Sequence, residues 1–408
     1  MSIRLAQRAQ RVQPFYVMEL AKTAARLAAS QGQTGRSMLY LNIGEPDFTA
    51  PPRVQAAAEQ AIRNGLSQYT QATGLPALRQ AISGWYASRF GLDIDPGRIV
   101  VTAGASAALQ LACLALIEAG DDVLMPDPSY PCNRQFVQAA EGRPVLLPAG
   151  PAERFQLSAE RVRQAWGPAT RGVLLASPSN PTGTSIARDE LERIARFMRE
   201  RGGVTLVDEI YLGLSYEDDY GHSALGLPDG LGDEVISINS FSKYFNMTGW
   251  RLGWLVLPPA LVPAVERLAQ NLFICASTIA QHAALACFHP ESLTVYEERR
   301  AEFRARRDWF IPQLERLGLD VPVRPDGAFY AWVDVQRWCD RWDIPLRTDS
   351  PETGGSWALA LALMERCQIA TTPGRDFGEA EPWRYLRLST ASSMAQLQDA
   401  VARLEAAR

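Results

Sequence analysis

Of the 41 lysine and arginine residues in this chain, only two, Lys22 and Lys243, are lysines. A guanidinium stays protonated and cannot form an imine, whereas a desolvated lysine amine is a nucleophile. A lysine retained in so arginine-rich a sequence is therefore a candidate reactive amine. Lys22 falls in a helical pattern with polar neighbours and reads as a surface charge. Lys243 stands in INSFSKYFNMTGWRLGW, directly after an apolar run and beside Ser240, Ser242 and Arg251, residue types that can hold an anion next to an amine.

Four other segments carry residues suited to chemistry. In VVTAGASAALQLACLAL a strand pattern gives way to Gly104-Ala105-Ser106 and then to a helix pattern. Backbone N–H groups at a helix N-terminus bind phosphate, although an ordinary strand-to-helix turn has the same appearance. In GVTLVDEIY a strand ends in Asp208 and Glu209, and carboxylates at the carboxyl end of a parallel strand face the crevice where open α/β sheets bind ligands. The three histidines, His222, His282 and His289, lack ligand spacing, so no metal is assigned and Asp208 is read as the partner of a cationic ring nitrogen. Asn180 lies in the turn SNPTGT, and Arg387 closes a predicted strand in WRYLRLST, where its fork can grip a carboxylate.

The elements that must position these residues follow from hydropathy. Apolar runs rich in Val, Ile and Leu at Ile99–Thr102, Val123–Met125, Pro144–Leu147, Gly172–Ala176, Val204–Val207, Val235–Ile238 and Leu252–Leu257 alternate with helical patterns. Those patterns include Ser106–Glu118, Arg188–Arg201 and Leu261–Leu272. Such alternation predicts an α/β domain with a mostly parallel seven-stranded sheet flanked by helices. A long charged helix, Ser292–Leu317, then leads into the strand pattern GAFYAWVDV, a helix at Trp357–Cys367 and the WRYLRLST segment, which together predict a smaller α+β domain. The expected division is 46–290 for the large domain and 291–408 for the small one, with residues 1–45 joining the latter. Asp340–Gly355, rich in Pro, Gly and acids, is expected to be a surface loop.

Composition narrows the partners. With 408 residues and a net charge of 41 − 45 = −4, the chain is too long for one core and has no basic block for nucleic acid. Ile99–Ile117 and Leu268–Phe288 contain no charged residue, yet each is interrupted by Ser, Thr, Gln or Asn, as in buried elements of a water-soluble core. Six cysteines without a CxxC pair, and arginines in place of an apolar leader after Met1, predict a reduced, cytoplasmic setting.

In order along the chain, IGEPDF, TAGASAAL, DPSYP, SNPTGT, VDEIY, SFSKYFNMTGWRLGW and RLS resemble the class I/II aminotransferases, fold type I enzymes that use pyridoxal 5′-phosphate. The resemblance runs from about Leu41 to about Thr390. It implies that Lys243 joins the cofactor covalently and moves the proton between substrate and cofactor carbons, and that Asp208 keeps the pyridine nitrogen protonated. Asn180 and Tyr211 would hydrogen-bond the 3′ oxygen, and Tyr130 would stack on the ring. Ala105, Ser106, Ser240, Ser242 and Arg251 would hold the phosphate. Tyr69 in SQYTQATG would reach the phosphate of a neighbouring subunit, implying a homodimer with shared sites. Arg387 would bind the substrate carboxylate, with Asn180 and Gly44 beside it, and the bonds Asn180–Pro181 and Asp127–Pro128 would be cis.

The implied activity is transfer of an amino group from an L-amino acid to a 2-oxo acid by a ping-pong mechanism. No motif marks a cation for a distal carboxylate, and Pro14-Phe15-Tyr16-Val17-Met18, near the substrate side chain by resemblance, is apolar. A neutral or hydrophobic donor is therefore expected, with 2-oxoglutarate or pyruvate as acceptor. The same scaffold also carries carbon–sulfur lyases and non-catalytic effector domains behind DNA-binding modules. About 40 residues before the motif region are too few for such a module.

Overall fold

The computed structural model describes residues 3–12, 16–30, 37–349 and 353–408. Twelve strands occur among them: β1 (Leu39–Tyr40), β2 (Ile99–Thr102), β3 (Asp122–Asp127), β4 (Arg143–Pro148), β5 (Thr170–Ala176), β6 (Val204–Asp208), β7 (Ile236–Ser240), β8 (Gly253–Val256), β9 (Tyr330–Asp334), β10 (Ile369–Ala370), β11 (Thr372–Pro373) and β12 (Tyr385–Ser389). The seven predicted strands of the large sheet all form, in the order β2-β8-β7-β6-β5-β3-β4. Every pairing is parallel except those of β8, which runs antiparallel to both β2 and β7. Helices cover both faces, as a parallel sheet requires. Along β2, Ile99 and Val101 join one core with Trp254 and Phe241, while Val100 points into another with Leu255 and Leu174.

A three-stranded antiparallel sheet, β11-β12-β9, stands apart with its own core around Phe310, Trp338, Leu363 and Leu388. β1 pairs in parallel with β10, Leu39 opposite Ile369, so the N-terminal segment packs on the C-terminal part of the chain.

Several predicted boundaries shift for local reasons. The helix expected from Ser106 begins at Gly104, whose φ of +82° suits a glycine at the turn out of β2. Pro290 extends the long charged helix to Pro290–Leu317, the His289 side chain accepts from the Glu291 N–H, and Gly318 (φ +84°) ends it. The Asp340–Gly355 loop is shorter than expected, because a helix runs Gln336–Arg341 and the next starts at Gly355. Arg387 sits in the middle of β12, not at its end as expected, because Leu388 and Ser389 continue the ladder against β9. Asp127–Pro128 and Asn180–Pro181 are cis, as is Ser177–Pro178.

Candidate active site

The carboxyl ends of β5, β6 and β7 converge below the small sheet, and a cavity of about 390 Å³ opens there. Its wall includes Gly44, Ala105, Ser106, Tyr130, Asn180, Asp208, Tyr211, Ser240, Ser242, Lys243, Arg251 and Arg387. Twelve of the thirteen sequence-derived candidates are thus brought together from separate segments. Tyr69, the thirteenth, does not line this cavity and is 79% exposed. Pro14 and Phe15 lie outside the described residues, while Val17 and Ala21 reach the cavity from the helix Tyr16–Ser30.

Lys243 follows β7 by three residues, and its Nζ donates to Gly44 O at 2.6 Å. Burial first, then the Arg387 and Arg251 guanidinium groups, bring its ammonium down from 10.5 to about 8. About a tenth of this amine is therefore uncharged at pH 7, far more than for an ordinary lysine, and the uncharged form is the nucleophile. Asp208 ends β6 and is buried, accepting from the Ile210 N–H at 3.2 Å. Burial, with Glu209 adding to it, pushes its carboxyl up to about 7. Glu209 is held apart from the cavity by Ser237, Ser223 and the Ala224 N–H.

At the opposite end the geometry suits an anion. Ala105 and Ser106 occupy the first turn of the helix Gly104–Leu116, whose N–H groups lack intrahelical partners. A Cβ on Gly104 would meet Arg251 Nη2 at 2.6 Å, and one on Gly253 would meet Ala105 N at 2.7 Å, so this cradle closes only around glycines. Ser240 Oγ accepts from the Ser242 N–H at 3.0 Å, which fixes the turn carrying both serines.

Arg387 is buried, and its Nη1 and Nη2 donate to Asn180 Oδ1 at 2.8 Å and Asn42 O at 2.7 Å. Its Nε is buried without a hydrogen-bond partner. With Oδ1 held by Arg387, the Asn180 amide keeps Nδ2 for another acceptor. Asn42, Glu45 and Tyr330 are the polar cavity residues that sequence reasoning missed. Asn42 acts through its carbonyl, which has no sequence signature, and Tyr330 reads as one more aromatic in the apolar pattern GAFYAWVDV.

The site therefore holds an amine, an anion cradle, an unpaired buried carboxylate and a carboxylate-sized cation, in one chamber. Residues 36–404 match the family described as aminotransferase class I and II. The chain belongs to that family. It is 36% identical to the valine–pyruvate aminotransferase of Mycobacterium tuberculosis, over 99% of this chain and 98% of that protein. The aspartate/prephenate aminotransferase of Nitrosomonas europaea is 32% identical, over 98% and 99% respectively. A crystal structure of an aminotransferase from Mycobacterium tuberculosis superposes with a TM-score of 0.89 at 35% identity, covering 99% of both chains. This fold type I aminotransferase depends on pyridoxal 5′-phosphate. The residues present fit that group: the glycine-lined cradle suits its phosphate, the unpaired Asp208 its cationic nitrogen, and the depressed Lys243 amine its aldehyde.

Proposed function

We propose that this aminotransferase takes its amino group from a neutral or hydrophobic L-amino acid and passes it to 2-oxoglutarate or pyruvate in two half-reactions. The observation that carries the donor class is the cation inventory of the cavity wall. Besides Lys243 its cations among the described residues are Arg251, at the anion cradle, and Arg387, at the opposite end. Val17, Ala21, Ile43, Leu109 and Ile210 line the wall with apolar surface, alongside the polar Asn42, Glu45 and Tyr330. The relative named for valine and pyruvate supports the same reading.

In this reading each residue has a definite task. Lys243 Nζ would hold the cofactor and, as a free amine, would carry the proton taken from the donor Cα. Bound pyridoxal phosphate supplies the electron sink that makes that Cα proton acidic. Asp208 would hold a proton on the ring nitrogen, and Asn180 Nδ2 and the Tyr211 hydroxyl would donate to the 3′ oxygen. Tyr130 would pack against the ring. The Ala105 and Ser106 N–H groups, the Ser106, Ser240 and Ser242 hydroxyls and Arg251 bind the phosphate. Arg387 orients the donor carboxylate next to Asn180, under the loop that carries Gly44.

Tyr69 completes the phosphate site of a second copy in a homodimer, a role supported by its exposure and by that of the apolar side chains Ile62 and Leu66 in the same stretch of sequence. Residues 46–290 and 291–408 act as two domains that close on substrate, with residues 1–45 riding on the smaller, as the β1–β10 pairing favours. The test is to add single amino acids to the holoenzyme and follow bleaching of the cofactor's visible band. Leucine, methionine, valine and phenylalanine should bleach it rapidly. Much faster bleaching with aspartate than with these four would overturn the donor assignment.

A further inference from the structure

Tyr330 stands in the middle of the site without a task in the chemistry above. It begins β9, is 1% exposed, and its hydroxyl lies 2.6 Å from that of the equally buried Tyr211. The Arg387 guanidinium carbon sits 4.4 Å from the centre of its ring. Gly44 packs on the same hydroxyl so closely that a Cβ there would meet it at 2.6 Å, and Gly44 O is the acceptor for Lys243 Nζ. Tyr330 thus touches Tyr211, Arg387 and the loop under the amine. The other titratable groups facing the two tyrosines are Tyr130, Lys243, whose Nζ is 5.7 Å from the Tyr211 ring centre, and Asp208 by way of Tyr130.

Either hydroxyl of the pair can be the donor. If the Tyr211 proton goes to the cofactor's 3′ oxygen, as proposed above, then the Tyr211 oxygen is left as an acceptor, and the donor at 2.6 Å is Tyr330. A hydroxyl that accepts a hydrogen bond becomes a stronger donor in turn. We propose that Tyr330 is a positioning residue whose hydroxyl donates to Tyr211, aims the Tyr211 proton at the ring oxygen, and so sets the pH at which the bound cofactor changes its absorption. Its ring at the same time seats Arg387, so the group that holds the substrate carboxylate and the group that tunes the cofactor share one buried support.

This inference rests on Tyr211 as the ring-oxygen ligand, and the test separates the two. Tyr211→Phe, Tyr330→Phe and the double variant, all as holoenzyme, are titrated by the visible absorbance of the cofactor. A donor to the ring oxygen stabilises its negative charge and eases loss of the neighbouring imine proton, so removing the donor raises the midpoint. The expected rise is about one pH unit for Tyr211→Phe and about half of that for Tyr330→Phe. The double variant should rise no further than Tyr211→Phe alone, because the second hydroxyl acts through the first. Additive shifts, an unmoved midpoint in Tyr330→Phe, or loss of the band in Tyr330→Phe with the band retained in Tyr211→Phe would each overturn the role of Tyr330. An unmoved midpoint in Tyr211→Phe would overturn the ring-oxygen assignment itself, and the inference with it.

Discussion

Replacing Asp208 with asparagine should move apoprotein stability and cofactor affinity in opposite directions. Asp208 is 3% exposed, and burial raises its carboxyl from 3.8 to about 7. The folded apoprotein therefore holds this proton more tightly than the unfolded chain does. Its native state loses relative stability as pH rises from 3.8 to about 7, and above that range the full cost of an unpaired buried carboxylate persists. The difference of about 3 pH units, at about 1.36 kcal/mol each, corresponds to no more than about 4 kcal/mol. For a chain of this length that is a rise in melting temperature of about 5 °C. Asparagine retains the acceptor for the Ile210 N–H and carries no charge. Apo Asp208→Asn should therefore melt above apo wild type at pH 8, with the gap narrowing toward pH 5. With pyridoxal phosphate added the order should change, because an amide cannot hold a proton on the ring nitrogen and the ligand-induced rise in melting temperature shrinks. Calorimetric melts of both proteins, apo and loaded, at pH 5, 6.5 and 8 give the comparison. Equal apo melting temperatures at pH 8 would refute the view that Asp208 waits in the apoprotein as an uncompensated charge.

Gly44→Ala should lower kcat/KM roughly a hundredfold by displacing the loop under Lys243; in a Tyr330→Phe background most of that loss should disappear, since the nearest atom to the new Cβ becomes the ring Cζ at 3.6 Å. Arg387→Lys keeps the charge but not the fork that Asn180 and Asn42 hold, so KM for donor and acceptor should rise roughly 30- to 100-fold in steady-state assays while the cofactor band is retained. Reattachment of pyridoxal phosphate to the apoprotein should accelerate with pH through about 8, where the Lys243 amine loses its proton, and then level off in stopped-flow absorbance. Lys243→Arg should show no covalent band at any pH.

How legible the site was depends on what each residue contributes. Lys243, Asp208, Asn180 and Arg387 contribute a functional group that few alternatives replace, so composition and motif marked them. Tyr330 and Asn42 contribute a contact. A tyrosine in an apolar strand pattern and a backbone carbonyl leave no trace until the chain is folded around them. The apolar part of the cavity wall shows the same divide: Val17 lay in a visible apolar stretch, but Ile43, Leu109 and Ile210 became its neighbours only by packing.

The sequence by itself determined the seven strands, their helical alternation and the set of chemical groups, because hydropathy period and residue type are local properties of the chain. The tertiary structure decided that β8 runs against its neighbours, and that Arg387 sits within β12 at the junction of two sheets. It also decided that burial shifts Lys243 and Asp208 toward neutrality. Strand direction, close approach and desolvation arise between residues far apart in sequence, as between Arg387 and Asn42 at 2.7 Å across 345 positions, and only folding brings those together.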